Sequence, residues 1–209
     1  MKRNFILLVV LLNSVFAKSQ NIIYIIGAWT ITSGTMPEHG FLPGKKFVFY
    51  PTLENYNFNG MKLRVELYDE RDSLHLINLP CSQVEIDNES EFKGRGGASK
   101  VYEYFQHIFA SSNIILDSTA NDTLQVHLEA LDSRLIGFGY ITAHGLCEMS
   151  IHHKDFIRSY CIDITDKDPH SPLGPGAFVT RKTATRIIAS AAIRESIESI
   201  LKDLKNINL

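Results

Sequence analysis

The segment richest in reactive side chains runs from Leu146 to Cys161 and reads LCEMSIHHKDFIRSYC. It contains two of the three cysteines and two adjacent histidines, so it could bind a metal ion, form a disulfide hairpin or be an ordinary pair of strands. Zinc sites usually contain closely spaced ligand pairs, such as C-x2–4-C or H-x3–5-H. The spacing here is C-x4-H-H-x7-C, and adjacent residues of a strand point to opposite faces. We therefore expect His152 and His153 to diverge, and we predict no metal site.

A disulfide between Cys147 and Cys161 depends on the register of the hairpin. A three-residue loop centred on Lys154 would place these two cysteines opposite each other. A two-residue turn at His153 and Lys154 would instead place Cys147 opposite Tyr160. The sequence favours the second register because it collects most of the apolar side chains on one face, and burial of apolar surface contributes about 25 cal/mol per Å².

This apolar face has one discordant member, Arg158. Its other members are Ile141, Ala143, Cys147, Met149, Ile151, Phe156, Tyr160, Ile162 and Ile164. We therefore expect Cys147 and Cys161 on opposite faces of the sheet and no bond between them. Cys81 could pair with either cysteine, and the sequence does not choose between them.

Familiar catalytic motifs are missing from the sequence: it contains no G-x-S-x-G elbow, no H-E-x-x-H helix and no phosphate-binding glycine loop. The GRGG stretch at 94–97 precedes a predicted helix and could face an anion through backbone N–H groups, although a flexible loop tip is the favoured interpretation. Asp87, Glu89 and Glu91 could bind calcium, but they lack the spacing and central glycine of an EF-hand loop. We expect a solvated acidic loop there.

Three further residues allow both a structural and a functional interpretation. Asp69 and Arg71 follow a predicted strand, where a local turn or ion pair is favoured over a binding site. Trp29 is the only tryptophan, and it fits the core as well as it fits a ligand platform. The sequence thus predicts no catalytic, cofactor-binding or metal-binding residue.

Two amphipathic helices are predicted from apolar residues at helical spacing. The first covers about 99–111, with an apolar face formed by Val101, Phe105, Ile108 and Phe109. The second covers about 180–204, with an apolar stripe formed by Ile193, Ile197, Ile200 and Leu204. Thr180 or Thr183 can cap the start of this helix, and Lys202 and Lys205 suit its negative C-terminal end.

Strands are predicted where apolar and polar residues alternate. The predicted strands are 46–51, the segment around Leu63–Leu67, the segment around Leu124–Leu128, 138–151 and 156–165. Strands interrupted by single helices indicate an α+β class, with an antiparallel sheet and both helices packed on one face of a single domain.

The first residues, MKRNFILLVVLLNSVFA, have the layout of a secretory signal peptide. The apolar run of about 13 residues is short for a membrane anchor, so we predict a signal peptide at 1–20, with cleavage between Ala17 and Gln20. Residues 21–45 are then an N-terminal strand or arm, and 46–209 form the α+β domain. We expect a soluble, periplasmic or otherwise exported protein without a lipid anchor, because no cysteine lies near the cleavage site.

The composition excludes some classes of function. The chain has 209 residues, a formal net charge of −2 and a pI near 6.4. Nucleic-acid binders usually show a basic patch and a higher pI, and proteins that bind anionic membranes carry polybasic clusters. The sequence contains neither.

The pattern resembles the YajG-type family of uncharacterised envelope lipoproteins of Gram-negative bacteria over about residues 45–205. Similar features are the strand at Gly60–Val65, the turn with Asp69 and Arg71, the helix at Val101–Phe109, the strand at 123–131 and the GAF stretch at 176–178. The family's lipidated cysteine is absent here. The family implies no catalytic residues, and related auxiliary lipoproteins of envelope transport systems are similar.

These observations predict a non-enzymatic envelope protein that binds a partner protein or joins an assembly. One alternative is a small-ligand or lipid-binding accessory of an envelope transport system, which requires an apolar cavity between sheet and helices. Another is an unrecognised hydrolase, which requires clustered titratable groups in a cleft. We predict no cofactor, no nucleic-acid partner and no transmembrane segment after signal cleavage; peripheral association with the envelope is compatible with this.

Overall fold

The computed structural model describes residues 49–71, 80–82, 97–136, 141–174 and 179–207, without the side chains of 181 and 182. The described elements are β1 (Met61–Asp69), α1 (Gly97–Ser111), β2 (Ile114–Leu116), β3 (Thr123–Ile136), β4 (Thr142–His153), β5 (Phe156–Thr165) and α2 (Arg181–Ile207). Within this part of the chain, neither helix is both long enough and apolar enough to cross a membrane.

Several predicted features lie outside the described residues. These are the signal peptide at 1–20, the arm at 21–45 with Trp29, and the acidic loop with Asp87, Glu89 and Glu91. Of the strand predicted at 46–51, only residues 49–51 are described, and they are not in a strand.

The five strands form one mixed sheet in the order β2-β1-β3-β4-β5. The predicted α+β class is confirmed, and β3, β4 and β5 are antiparallel as expected. β1, however, runs parallel to both of its neighbours. The reason is the connection after β1, because a helix returns the chain to the end of the sheet at which β1 began. β2 has only three residues and was not predicted from the sequence.

Both helices pack on the same face of the sheet, as predicted. The face of α1 formed by Val101, Phe105 and Phe109 is fully buried, and so is the stripe of α2 that contains Ile193 and Ile197. All of these side chains belong to one apolar core with the inward-facing residues of the strands. We call the opposite side of the sheet the outer face.

Two local contacts fix the position of α2. The backbone N–H of Thr183 donates a hydrogen bond to Oγ1 of Thr180 (3.2 Å), so Thr180 is the N-cap. Further along, α2 crosses β4 at Gly145, where an added Cβ would lie 2.2 Å from the carbonyl oxygen of Ile188. Only glycine allows this close approach of backbone to backbone.

The predicted register of the β4–β5 hairpin is wrong by two residues. The turn is formed by Lys154 and Asp155, and Cys147 lies opposite Ile162 rather than Tyr160. Because side chains alternate with a period of two, a two-residue shift leaves every side chain on its predicted face. His153 stays in the strand because it is fully buried, and Lys154 adopts the positive φ of the turn (55°).

Arg158, the one charged residue on the apolar face of the hairpin, has a partner at the surface. Arg158 Nη1 lies 3.0 Å from Oδ1 of Asp203 on α2, and the hydroxyl of Tyr160 donates to Oδ2 of the same carboxylate (2.7 Å). Arg158 is therefore accommodated at the rim of the core, where its head group remains in water.

The cysteines lie on opposite faces, as predicted. Cys147 is free and fully buried in the core. Cys161 is on the outer face and forms a disulfide with Cys81, 80 residues earlier in the chain, with a Cα–Cα distance of 5.6 Å. The structure thus identifies Cys161 as the partner of Cys81, which the sequence left open.

Candidate functional site

A serine, an aspartate and a histidine meet on the outer face beside the disulfide. The hydroxyl of Ser82 donates to Oδ2 of Asp163 (2.5 Å), and Nδ1 of His144 lies 2.9 Å from Oδ1 of the same carboxylate. In a hydrolytic triad the histidine contacts both the nucleophile and the acid. Here the serine hydroxyl donates to the aspartate, which occupies the middle position, so the arrangement differs from that of a triad.

A second histidine lies within a polar and aromatic row on the outer face. Nδ1 of His127 is 2.6 Å from Oε1 of Glu70, and the ring stacks on Tyr68 at a centroid distance of 5.0 Å. The ring of His152 lies 4.9 Å from that of His127. The hydroxyl of Tyr68 donates to Glu66 (2.9 Å), which raises the pKa of Tyr68 and lowers that of Glu66. The row contains no hydroxyl or thiol nucleophile paired with a histidine.

The tip of the β4–β5 hairpin holds the third pair of a histidine and a carboxylate. Nε2 of His153 lies 2.8 Å from Oδ1 of Asp122, and Nζ of Lys154 lies 3.2 Å from Oδ2. An open cleft of about 460 Å³ is lined by Asn121, Asp122, Thr123 and Lys154. His152 and His153 point to opposite faces, as predicted. Within the described ranges, no group of three or more His, Cys, Asp or Glu residues could hold a metal ion.

The free thiol is unsuited to nucleophilic chemistry. Burial raises the pKa of Cys147 to about 12, against the opposing effects of a hydrogen bond with Ser196 and the nearby charge of Arg71. A thiol with this pKa is protonated at neutral pH, and the thiolate is the reactive form. Cys147 therefore serves as a small apolar side chain of the core.

Packed side chains fill the space between sheet and helices. Leu63, Met149, Phe105 and Ile197 come from both layers, and each is fully buried. The ligand-binding alternative requires an apolar cavity at this place. The packing in the described part of the chain offers no support for such a cavity.

The outer edge of β5 is an open end of the sheet. β5 has ten residues and pairs with β4 on one side; among the described residues, no strand pairs with its other side. No bulge interrupts its pairing with β4, and Ile157 is 66% exposed. Natural proteins usually protect such edges with short strands, prolines, lysines or bulges. Arg158 places one charge on this edge strand, and the exposed stretch at Ile157–Ser159 is a template for a further strand.

The predicted local pair of Asp69 and Arg71 is confirmed. Nε and Nη2 of Arg71 each lie 2.6 Å from a different oxygen of Asp69. Burial alone would raise the pKa of Asp69, but the hydrogen bonds and charge of Arg71 outweigh it, so the net shift is downward. The position of this guanidinium was not predicted from the sequence. It packs against Gly97, the first residue of α1, and its Nη1 atom is buried without a hydrogen-bond partner.

Comparisons with known proteins do not assign the chain to a family. No family model matches the sequence, and no curated protein matches it. A solved structure of a Xanthomonas campestris protein of family DUF330 aligns with a TM-score of 0.42 and 11% identity, over 76% of this chain and 89% of that one. An uncharacterised protein aligns with a TM-score of 0.34 and 12% identity, over 75% of this chain and 99% of that one. The resemblance to the YajG-type family stays a prediction.

Proposed function

We propose that this chain is an exported, non-enzymatic protein of the Gram-negative cell envelope, and that it binds a partner protein along the outer edge of β5. The observation that carries this proposal is the edge of β5, which pairs with no second strand among the described residues, has no bulge and exposes Ile157–Ser159. A resemblance to the YajG-type family forms part of the proposal, and it rests on the order of the strands and helices.

The mode of binding is strand addition. An extended segment of the partner would hydrogen-bond to the backbone groups on the outer side of β5, which gives affinity, while alternate side chains give specificity. Ile157 projects from the sheet beside this edge and would bury apolar surface against the partner. Ser159 follows on the same face and leaves room for a partner side chain.

Export is supported by the predicted signal peptide and by the bond between Cys81 and Cys161. Disulfides form and persist in oxidising compartments such as the periplasm, whereas thiols are kept reduced in the cytosol. Mass spectrometry of the protein recovered from its own host tests this part. We expect a chain that begins between residues 18 and 21 and carries one disulfide; an intact N-terminus with three free thiols would refute export.

A non-enzymatic role is supported by the arrangement of the histidines. In each of the three pairs described above, the hydrogen bond described for the histidine is to a carboxylate rather than to a hydroxyl or a thiol. The buried thiol is protonated at neutral pH. Each carboxylate gives its histidine one hydrogen-bond partner, while Nε2 of His127 and Nδ1 of His153 are buried without a partner.

The edge is tested by site-specific photo-crosslinking in the full-length chain. The photo-reactive residue p-benzoylphenylalanine would replace Ile157 on β5 or, as a matched control, Ile115 on β2. Ile115 is 48% exposed at the opposite edge of the sheet. We expect one discrete cross-linked product from position 157 and none from position 115. Equal products from both positions, or none from 157, would contradict the proposal.

Substitution of the same two residues measures how much the edge of β5 contributes to binding of the partner. Ile157→Asp places a charge beside the strand, and we expect it to weaken recovery of the cross-linked partner by about tenfold, as for loss of one apolar contact at the centre of an interface. Ile115→Asp should leave recovery unchanged. A product of twice the chain's own mass would show self-association instead and overturn the claim of a different partner.

A further inference from the structure

Residues 80–82 lie on the outer face of β5 and are linked to its second half. The sulfur of Cys81 is bonded to that of Cys161, and the hydroxyl of Ser82 donates a hydrogen bond to Oδ2 of Asp163. Both residues of β5 lie on the outer face, because they alternate with Ile162, which packs against the core. Residues 80–82 therefore occupy space on this face beside Cys161 and Asp163.

The two halves of β5 differ in their exposure to solvent. The stretch Ile157–Ser159 is exposed, whereas each residue of Cys161–Thr165 is partly or fully buried. Only 13% of the Asp163 side chain is accessible, against 66% of Ile157. The outer face of β5 is thus open at its beginning and occupied further along.

This difference limits the length over which a partner strand can pair with β5. An added strand would run about 4.8 Å from β5, and every second side chain of it would stand on the outer face. Beside Ile157 and Ser159 these side chains have room. Beside Cys161 and Asp163 they would meet residues 80–82. With the disulfide intact, the partner can therefore use only the first part of the ten-residue edge.

The disulfide can be attacked from its solvent side. Cys81 is exposed, whereas Cys161 is partly buried, so a thiolate from solution reaches the sulfur of Cys81 more easily. Exposed disulfides are the ones that serve as labile or regulatory bonds. A hydrogen bond such as that of Ser82 contributes at most about as much as fixing the backbone of a single residue costs. It cannot by itself hold residues 80–82 on β5 after reduction.

We propose that residues 80–82 form a redox-controlled strap, which the Cys81–Cys161 disulfide holds over the second half of β5 and which a protein dithiol releases by reduction. In the disulfide form the partner pairs with the first half of the strand, and in the dithiol form it pairs with the whole strand. This inference rests on the proposed function, because it concerns the regulation of the same edge.

Reduction proceeds by two exchange steps. A thiolate of the dithiol attacks the sulfur of Cys81, the bond to Cys161 breaks, and the sulfur of Cys161 leaves with the electron pair and takes up a proton. The second thiolate of the reductant then attacks the reductant's own sulfur in the mixed disulfide and releases Cys81 as a thiolate. Two electrons pass from the dithiol, which becomes a disulfide, to the protein, which gains two thiols.

Photo-crosslinking from the two halves of β5 tests the strap. The photo-reactive p-benzoylphenylalanine would replace Ile157 or Thr165 in the full-length chain, in isolated envelope fractions with and without dithiothreitol. Thr165 lies on the same face as Ile157 but at the other end of β5. We expect a product from position 157 in both states. Reduction should raise the product from position 165 about tenfold or more, as for one or two further hydrogen bonds of the added strand.

The matched control carries Cys81→Ser and Cys161→Ser together. It should give the product from position 165 without reductant, and dithiothreitol should leave the yield unchanged. A response of this variant to dithiothreitol would place the reduced bond in the partner and overturn the proposal. A product from position 165 in the untreated wild type, or none from it in either state, would overturn it as well. Absence of any product from position 157 would instead refute the proposed function.

Labelling of thiols in the native chain shows whether reduction leaves the fold intact. After dithiothreitol treatment, a maleimide mass tag should react with Cys81 and Cys161 but not with Cys147, which is fully buried. The circular dichroism spectrum should not change. Labelling of all three cysteines, or loss of the spectrum, would mean that the bond maintains the core rather than controls the edge, and would overturn the proposal.

Discussion

Removal of the disulfide between Cys81 and Cys161 should lower the free energy of unfolding by about 4.5 kcal/mol. The bond closes a loop between residues that are 80 positions apart. The chain-entropy relation gives about 15 cal/mol/K for a loop of this length, which is about 4.5 kcal/mol at 25 °C. Since whole domains are stable by only about 5–15 kcal/mol, this one bond supplies a large share of the total.

The perturbation is the double substitution Cys81→Ser and Cys161→Ser, which leaves no unpaired thiol at the surface. The assay is urea unfolding of the mature chain followed by circular dichroism. The midpoint should fall, and the dependence of the free energy on urea should steepen because the denatured state expands without the cross-link. The reductant dithiothreitol should shift the wild-type curve towards that of the variant and leave the variant unchanged.

The result that would refute this reasoning is a loss of less than about 1 kcal/mol together with no effect of reductant. Such a result would mean that the denatured state is already compact around this loop, so that the bond constrains little. A thiol count adds an independent check. Because Cys147 is fully buried, the native wild type should expose no reactive thiol and the unfolded, unreduced chain should expose one.

Three smaller perturbations test other parts of the fold. Gly145→Ala should cost about 1–3 kcal/mol in urea unfolding, because its Cβ would lie 2.2 Å from the carbonyl oxygen of Ile188. Thr180→Ala should cost about 1 kcal/mol in the same assay, through loss of the cap of α2. Burial and the neighbouring charge of Glu129 raise the pKa of Glu148, so wild-type stability should fall as the pH rises through that pKa. Glu148→Gln should therefore be more stable than the wild type at pH 7 but not at pH 3, as measured by melting temperature.

Helices were predictable because their apolar stripes reflect local geometry. The side chains of Ile193, Ile197 and Leu204 recur at steps that only a helix places on one face, and all three are fully buried. Strand faces were predictable for the same reason. The register of the hairpin was not, because a shift of two residues preserves the faces. The burial of His153 against Asp122, 31 residues earlier, is a tertiary effect that the pattern does not contain.

Among the candidate sites, too, contacts between residues close in sequence were predictable, and contacts that depend on the tertiary structure were not. Asp69 and Arg71 are two residues apart, so their pairing was foreseeable from spacing alone. The contact of Arg71 with Gly97 depends on where α1 begins in space. The pairing of Cys81 with Cys161 depends on where residues 80–82 lie against β5. The sequence offered one signal, the GRGG stretch before α1, but nothing in it indicated that a buried arginine would meet its last glycine.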